Sequence, residues 1–210
     1  FVQNPLWRPP PLFHFLLFWF RKSFKPNVVL AVLFFSDKNF KELGLDYWVS
    51  GYGTGGTFSG VSRVLRDQSP KTKLVITEPE NAQLVNSLIT QKRNQDGSPA
   101  GAHDSWNPHP IQGWTPDFIP DVLDREIADQ IVPVNEDESM QCALRLGQEE
   151  GIFVGISAGG TLNAALKIAE HAEPGSVILT MLADTAERYL STPMFADINE
   201  GSDDDWLASL

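Results

Sequence analysis

The stretch Asp46-Tyr-Trp-Val-Ser-Gly-Tyr-Gly-Thr-Gly-Gly-Thr57 changes character halfway along. Asp46 to Ser50 is short, aromatic and β-branched, and it runs into glycines, which reads as a buried strand. After the glycines, Val61, Val64 and Leu65 recur at helical spacing with Arg63 and Arg66 on the other side, so a helix follows the turn. A strand that enters a helix through glycines brings free backbone N–H groups and the positive end of the helix dipole to one point. An anion is the natural guest there. Thr54 and Thr57 add neutral hydroxyl donors, so a phosphate dianion can be cradled without a lysine. Gly51, Gly53 and Gly56 also fit G-x-G-x-x-G, and Glu78 closes the next strand about where a ribose-binding carboxylate belongs. For this segment alone, a phosphate monoester, a dinucleotide and a plain packing turn all stand open.

Outward from that turn, strand and helix alternate. Ser69-Pro70 stops the helix, and Lys73-Leu-Val-Ile-Thr77 reads as the next strand. Residues 90–110 are rich in Gln, Asn, Gly, Ser, Pro and His without an apolar period and read as a long loop of the kind that serves a site. Ile131 to Val134 reads as a strand. Asn135, with Glu138 three positions later, resembles a capping box opening a helix that ends before Gly151. Ile152 to Ile156 then reads as a strand, Thr161 to His171 as a helix and Ser176 to Leu182 as a strand. The alternation predicts an α/β fold in three layers, its mostly parallel sheet covered on both faces. A second glycine turn, Gly155-Ile-Ser157-Ala158-Gly159-Gly160-Thr161, leaves one of these strands. Parallel strands would bring both turns to one sheet edge as two ends of one ligand site. Taken singly, Ser157 also suits a helix cap.

The chain has 210 residues, 42% of them hydrophobic, which suffices for a proper core. With 16 Lys and Arg against 27 Asp and Glu the formal charge is -11, which argues against a phosphate-gripping basic face and so against nucleic acid as a partner. The lone Cys142 can form neither an internal disulfide nor a thiolate cluster, fits a reducing compartment, and reads as a small packed hydrophobe. His103 and His109 share a loop with Asp104 without three ligands at metal-binding spacing, and they read as surface loop.

Averages hide a seam. Residues 1–45 carry six Lys and Arg and two Asp and Glu, and residues 46–210 carry ten and twenty-five. The first forty residues also hold eleven of the twenty-two aromatics and five of the fifteen prolines. Their apolar runs, Leu12 to Phe20 and Val28 to Phe35, are shorter than the ~20 residues of a membrane span, and no Ala-x-Ala cleavage site follows. Residues 1–40 therefore read as an atypical leading segment, 41–196 as the α/β domain, and 197–210, with Asp203 to Asp205, as an acidic tail.

Four motifs in order, Gly53-Thr-Gly-Gly-Thr57, His109-Pro-Ile-Gln112-Gly113-Trp114, Gly155-Ile-Ser157-Ala-Gly159 and Asp184-Thr-Ala-Glu-Arg188-Tyr-Leu, resemble the carboxy-terminal half of cysteine synthase (O-acetylserine sulfhydrylase). That enzyme sits in the fold-type-II pyridoxal-phosphate family, with cystathionine β-synthase and the tryptophan synthase β chain. The resemblance displaces the dinucleotide reading. It implies that pyridoxal 5'-phosphate is the cofactor, its phosphate on Gly53, Thr54, Gly55, Gly56 and Thr57 and its pyridine nitrogen on Ser157, with Gln112 and Gly113 on the substrate side. It also implies replacement of the acetoxy group of O-acetylserine by sulfide, a small amino-acid substrate, and a homodimer when the fold is complete, with neither nucleic acid nor membrane as partner. Cystathionine β-synthase or another β-replacement is the alternative within the family. A non-catalytic module holding a phosphate ligand or a partner is the alternative outside it. The compartment, cytoplasmic or organellar, is left open.

The chain departs from the family pattern in two substituted residues and two missing strings. Ala186 stands where the family has Gly in Gly-Glu-Arg-Tyr, which is tolerable unless that backbone needs positive φ. Ala183 stands where the family has Pro before Asp. The Ser-x-Lys-Asp-Arg string with the Schiff-base lysine and the Thr-Ser-Gly-Asn substrate loop are both missing, and Ser23-Phe-Lys25-Pro26 keeps only the serine-to-lysine spacing, far closer to the phosphate turn than the family places it. No catalytic lysine is assigned, and weak or absent turnover is expected. The seam favours an incomplete product of a longer gene over a natural half-protein.

Overall fold

The computed structural model describes residues 29–31, 44–196 and 207–208. Lys25, the run Leu12 to Phe20, most of the run Val28 to Phe35 and most of the tail lie outside these residues. Among the described residues one sheet holds β1 (Val29–Ala31), β2 (Tyr47–Gly51), β3 (Lys73–Pro79), β4 (Gln130–Val134) and β5 (Val177–Thr180), in the order β1-β5-β2-β3-β4. Every pairing is parallel, with Val49 beside Val75, Thr77 beside Val132 and Tyr47 beside Ile178. Parallel pairs need crossovers, and helices supply two of them: α1 (Gly56–Gln68) between β2 and β3, and the pair α2 (Glu136–Glu150) and α3 (Ile156–Ala169) between β4 and β5.

Strand residues alternate between two cores, as a pleat requires. Val49, Val75, Val134 and Ile178 pack with Ala143 and Leu146 of α2 and with Leu162 and Ala165 of α3. Trp48, Leu74, Ile76 and Leu179 pack on the other face with Phe58, Val61 and Leu65 of α1 and with Leu84, Ile119 and Leu123 from the segment 80–124. Each Val, Leu, Ile or Phe among them contributes about 1.5–3 kcal/mol by leaving water, so the three-layer α/β architecture follows from the alternation in the sequence. Among the described residues no helix is long and apolar enough to cross a membrane.

Two expectations about elements are corrected. Ile152 to Ile156 is not a sheet strand. Gly151 closes α2 at φ 72, and α3 opens at Ile156, five residues before the expected Thr161. The short link between them meets the chain after β5 antiparallel, through a single bridge of Val154 to Thr185 and the bonds Gly155 N–H to Asp184 O (3.3 Å) and Ala186 N–H to Phe153 O (3.3 Å). The β-branched run looked like a strand because a buried link and a buried strand have the same apolar composition. The capping box is half present. Asn135 Oδ1 accepts from the N–H of Asp137 (3.0 Å) and Glu138 (3.3 Å), while the Glu138 carboxylate turns to α3 and accepts from Asn163 Nδ2 and Lys167 Nζ, both at 3.1 Å. Those two donors hold the Glu138 carboxyl below its usual range. Cys142 lies half-buried against the first core, and burial pushes its thiol pKa up.

Candidate functional site

β2 delivers Gly51 to the carboxyl edge of the sheet, and the chain turns through Tyr52, Gly53 and Thr54 into α1. Gly55 precedes the helix at φ 84, a left-handed conformation that glycine reaches without strain, and an added Cβ would sit 2.6 Å from Leu123 Cβ. The N-cap Gly55 has no side chain to offer, the one side-chain bond to a first-turn amide is the long one from Gly56 N–H to Thr54 Oγ1 (3.5 Å), the first turn carries no acidic residue, and Thr54, Gly56 and Thr57 are exposed. The first-turn residues and the two hydroxyl-bearing threonines thus lie exposed at the positive helix end. Such an arrangement attracts an anion.

α3 also begins uncapped and without an acid in its first turn, at Gly155. Ser157 is therefore not the helix cap. It lies inside the first turn, almost fully buried, with its side chain at the wall of the same cavity. Thr161, one turn on, donates to the Met181 carbonyl (2.5 Å), with the Ala158 carbonyl also within reach of its hydroxyl (2.9 Å), tying α3 to the end of β5. The two uncapped helix starts share a cavity of about 460 Å³, within the size range of small-ligand sites. Gly53, Thr54, Gly55, Gly56, Thr57, Gln112, Gly113 and Ser157 all line it, so the structure brings together all eight of the site residues expected from the sequence.

The remaining wall comes from the motif around Asp184. Tyr189 Oη donates to Asp184 Oδ2 (2.5 Å), and burial first, then that bond and the charge of Asp184, push its phenol up to about 12. Asp184 Oδ1 is a buried acceptor without a hydrogen-bond partner. Arg188 reaches the cavity from the exposed side. Ala186 is fully buried and starts a 3-10 turn; the non-glycine residues with positive φ among those described are Leu88 and Thr115, so the methyl group of Ala186 meets no backbone penalty.

Three residues outside the expected cofactor and substrate set frame the first elbow, among them Glu78, which the dinucleotide reading placed on a ribose. Tyr52 lines the cavity while its hydroxyl donates to Glu78 Oε2 (3.0 Å), and Glu78 also accepts from Val85 N–H (3.1 Å) and Asn86 N–H (2.9 Å). Glu78 is fully buried, its pKa raised by that burial, and its oxygens point at the protein. It cannot meet a ribose, which removes the second half of the dinucleotide fingerprint. Trp114 lines the same cavity. The one sequence signal for the pair was an aromatic set between Gly51 and Gly53 with a carboxylate ending the neighbouring strand.

His103 is also corrected. It is buried, its Nδ1 accepting from Ser105 N–H (3.1 Å) and its Nε2 lying 3.1 Å from the Ile89 carbonyl, so the loop histidine is a staple. His109 Nε2 lies 3.1 Å from the Thr115 carbonyl.

Known proteins match this chain in the same region. A curated relative, O-ureido-L-serine synthase of Streptomyces lavendulae, is 48% identical over 166 residues, 79% of this chain and 46% of the relative. Cysteine synthase of Staphylococcus aureus is 36% identical over 159 residues, 76% of this chain and 46% of the relative. The crystal structure of O-ureido-L-serine synthase superposes with a TM-score of 0.67 at 44% identity, covering 81% of this chain and 50% of that one. The chain thus spans about half the length of the curated relatives it matches. A profile of the family described as "Pyridoxal-phosphate dependent enzyme" matches residues 36–184, and by that match the chain belongs to the pyridoxal-phosphate-dependent enzyme family.

Proposed function

We propose that the cavity holds pyridoxal 5'-phosphate and that the chain is the cofactor-holding part of a β-replacement enzyme acting on O-acetylserine or a similarly activated serine. The observation that carries this reading is the pair of uncapped helix starts on one cavity, with eight donor-bearing or glycine positions from three segments along its wall. The phosphate dianion suits the Gly53 to Thr57 amides and the hydroxyls of Thr54 and Thr57. The Ser157 hydroxyl suits the pyridine nitrogen, and because it is neutral it leaves that nitrogen unprotonated. Gln112 and Gly113 suit the substrate side.

When bound, the cofactor supplies an electron sink that acidifies the amino acid at Cα, so that the group on Cβ departs. The chain's own part is to fix that group by its two ends, to keep water from it with Trp114 and Tyr52, and to leave the Arg188 side open for a second substrate. Sulfide as that second substrate gives cysteine and acetate. A ureido oxygen nucleophile is the second reading, favoured by 48% identity to a protein named for O-ureido-L-serine against 36% to a cysteine synthase. We take the completed enzyme to be a homodimer.

Two measurements test the proposal. Pyridoxine 5'-phosphate, which lacks the aldehyde and cannot attach to stray lysines, should bind the purified chain in calorimetry, and absence of binding sinks the reading. Turnover is expected only when the chain is joined behind the amino-terminal half of the Streptomyces lavendulae relative, because the lysine string is missing here. With O-acetyl-L-serine, that chimera should release cysteine from sulfide or O-ureido-L-serine from hydroxyurea. Chromatography of the two products decides the nucleophile, and release of neither refutes β-replacement.

A further inference from the structure

Trp114 lies between the two elbows. A Cβ built on Gly51 would overlap the shared edge of its indole, and one built on Gly160 would sit 2.8 Å from Cη2 and 3.1 Å from Cζ3. Gly51 ends β2, and Gly160 belongs to the second turn of α3, so the indole is a rigid plate with the first elbow on one edge and the second on the other. The turn that carries it is clamped. Thr115 N–H donates to the Tyr52 carbonyl (2.7 Å), inside the first elbow. The Thr115 carbonyl accepts from Trp106 Nε1 (3.1 Å) and meets His109 Nε2 at the same distance. Thr115 is held at φ 34, a conformation that costs a non-glycine residue free energy and persists only where surrounding contacts over-determine it.

Building on the cofactor reading above, we propose that Trp114 is a positioning residue: its indole is the spacer that sets the distance between the phosphate elbow at Gly53 to Thr57 and the ring elbow at Ser157. A ligand gripped at both ends gains affinity only when the two grips match its length, because the second contact then forms within the first complex. Losing that match forfeits an avidity gain that reaches roughly 10²–10⁴. The separate halves of the ligand do not sense the spacing. This property distinguishes a spacer from a residue that merely supports the fold.

The test titrates the full chain and its W114A and W114F variants with three probes: pyridoxine 5'-phosphate, pyridoxine and inorganic phosphate. In W114A the joined ligand should bind roughly ten- to a hundredfold more weakly, a loss larger than the product of the fold losses for inorganic phosphate and pyridoxine. W114F, which keeps a shorter plate, should fall between. Unchanged affinity for the joined ligand in W114A, or equal losses for all three probes, overturns the spacer. Thermal unfolding checks the contact without any ligand. G160A should lower Tm in wild type and do so less in a W114F background, where the outer ring that its methyl meets is gone. Equal effects in the two backgrounds refute the wedge. If wild type ignores pyridoxine 5'-phosphate while the Gly160 and Trp114 substitutions still couple, the cofactor reading has failed, and the spacer role falls with it although the contact stands.

Discussion

Gly55→Ala is the perturbation that most directly tests the first elbow. The substitution imposes two separable costs. Holding alanine at φ 84 costs about 1–2 kcal/mol. The new methyl also meets Leu123 at Cβ (2.6 Å), Cα (2.7 Å) and N (2.9 Å), and because two of those atoms are backbone they cannot swing away. Overpacking of that kind costs about 1–3 kcal/mol. The total of about 2–5 kcal/mol is a large share of the ~5–15 kcal/mol that holds a domain folded, and it should lower Tm by roughly 10 °C. Gly175 supplies the internal control. It has φ 92 with nothing within 4 Å of an added methyl, so Gly175→Ala carries the backbone cost alone and should lower Tm by roughly 5 °C. Circular dichroism melts of the two variants give the difference. Equal shifts would refute the argument that Leu123 fixes the elbow, and a Gly55→Ala chain as stable as wild type would refute the turn geometry altogether.

Other expectations follow from the same structure. Glu78→Gln should cost about 3 kcal/mol in urea unfolding, since a side-chain amide brings its own N–H against the donors of Val85 and Asn86; Tyr52→Phe should cost less, because the carboxylate keeps both backbone donors. A Glu78→Gln variant within about 0.5 kcal/mol of wild type would contradict the bonding assigned to that carboxylate. Asn135→Ala should lose about 1 kcal/mol by leaving the amides of Asp137 and Glu138 uncapped, and Asn135→Gly only a few tenths, as measured by the same unfolding curves. In alkali, Tyr189 stays protonated in the folded chain up to about 12, whereas the unfolded chain ionises near 10, so its stabilising effect is whole below 10 and is lost as pH rises to 12. Tyr189→Phe should flatten that part of the stability-against-pH curve, and an unchanged slope would remove the Asp184 bond from the account.

The sheet was legible because its signals are local. The short apolar β-branched run in Lys73 to Thr77, the glycines after Ser50 and the asparagine at 135 each act within a few residues, and the structure meets them as β3, the first elbow and the start of α2. The failures share the opposite property. Ile152 to Val154 is as apolar as a strand, but whether it joins the sheet depends on what lies beside it, and the chain after β5 takes it antiparallel outside the ladder. His103 looked like a surface residue because its loop is polar, yet the carbonyl of Ile89 and the amide of Ser105 pull it inside. Composition averages over a loop and cannot see one inward-facing ring.

Glu78 shows why the same limit affects function. Spacing places a carboxylate at the end of the strand after a G-x-G-x-x-G turn, and that spacing is shared by a ribose ligand and by a buried structural acid. The choice between them rests on which way a single side chain turns. Here Tyr52, between the first two glycines of the turn, offers Glu78 a donor from inside, and Val85 and Asn86 supply two more. An acid with three protein donors has no need of a sugar hydroxyl, and withdrawing it into the core leaves the first elbow with glycine amides and threonine hydroxyls alone. A compact phosphate monoester needs no more than that from one elbow. The distance from that elbow to Ser157 then becomes the quantity that selects the rest of the ligand, and Trp114 is the side chain wedged between the glycines of the two elbows.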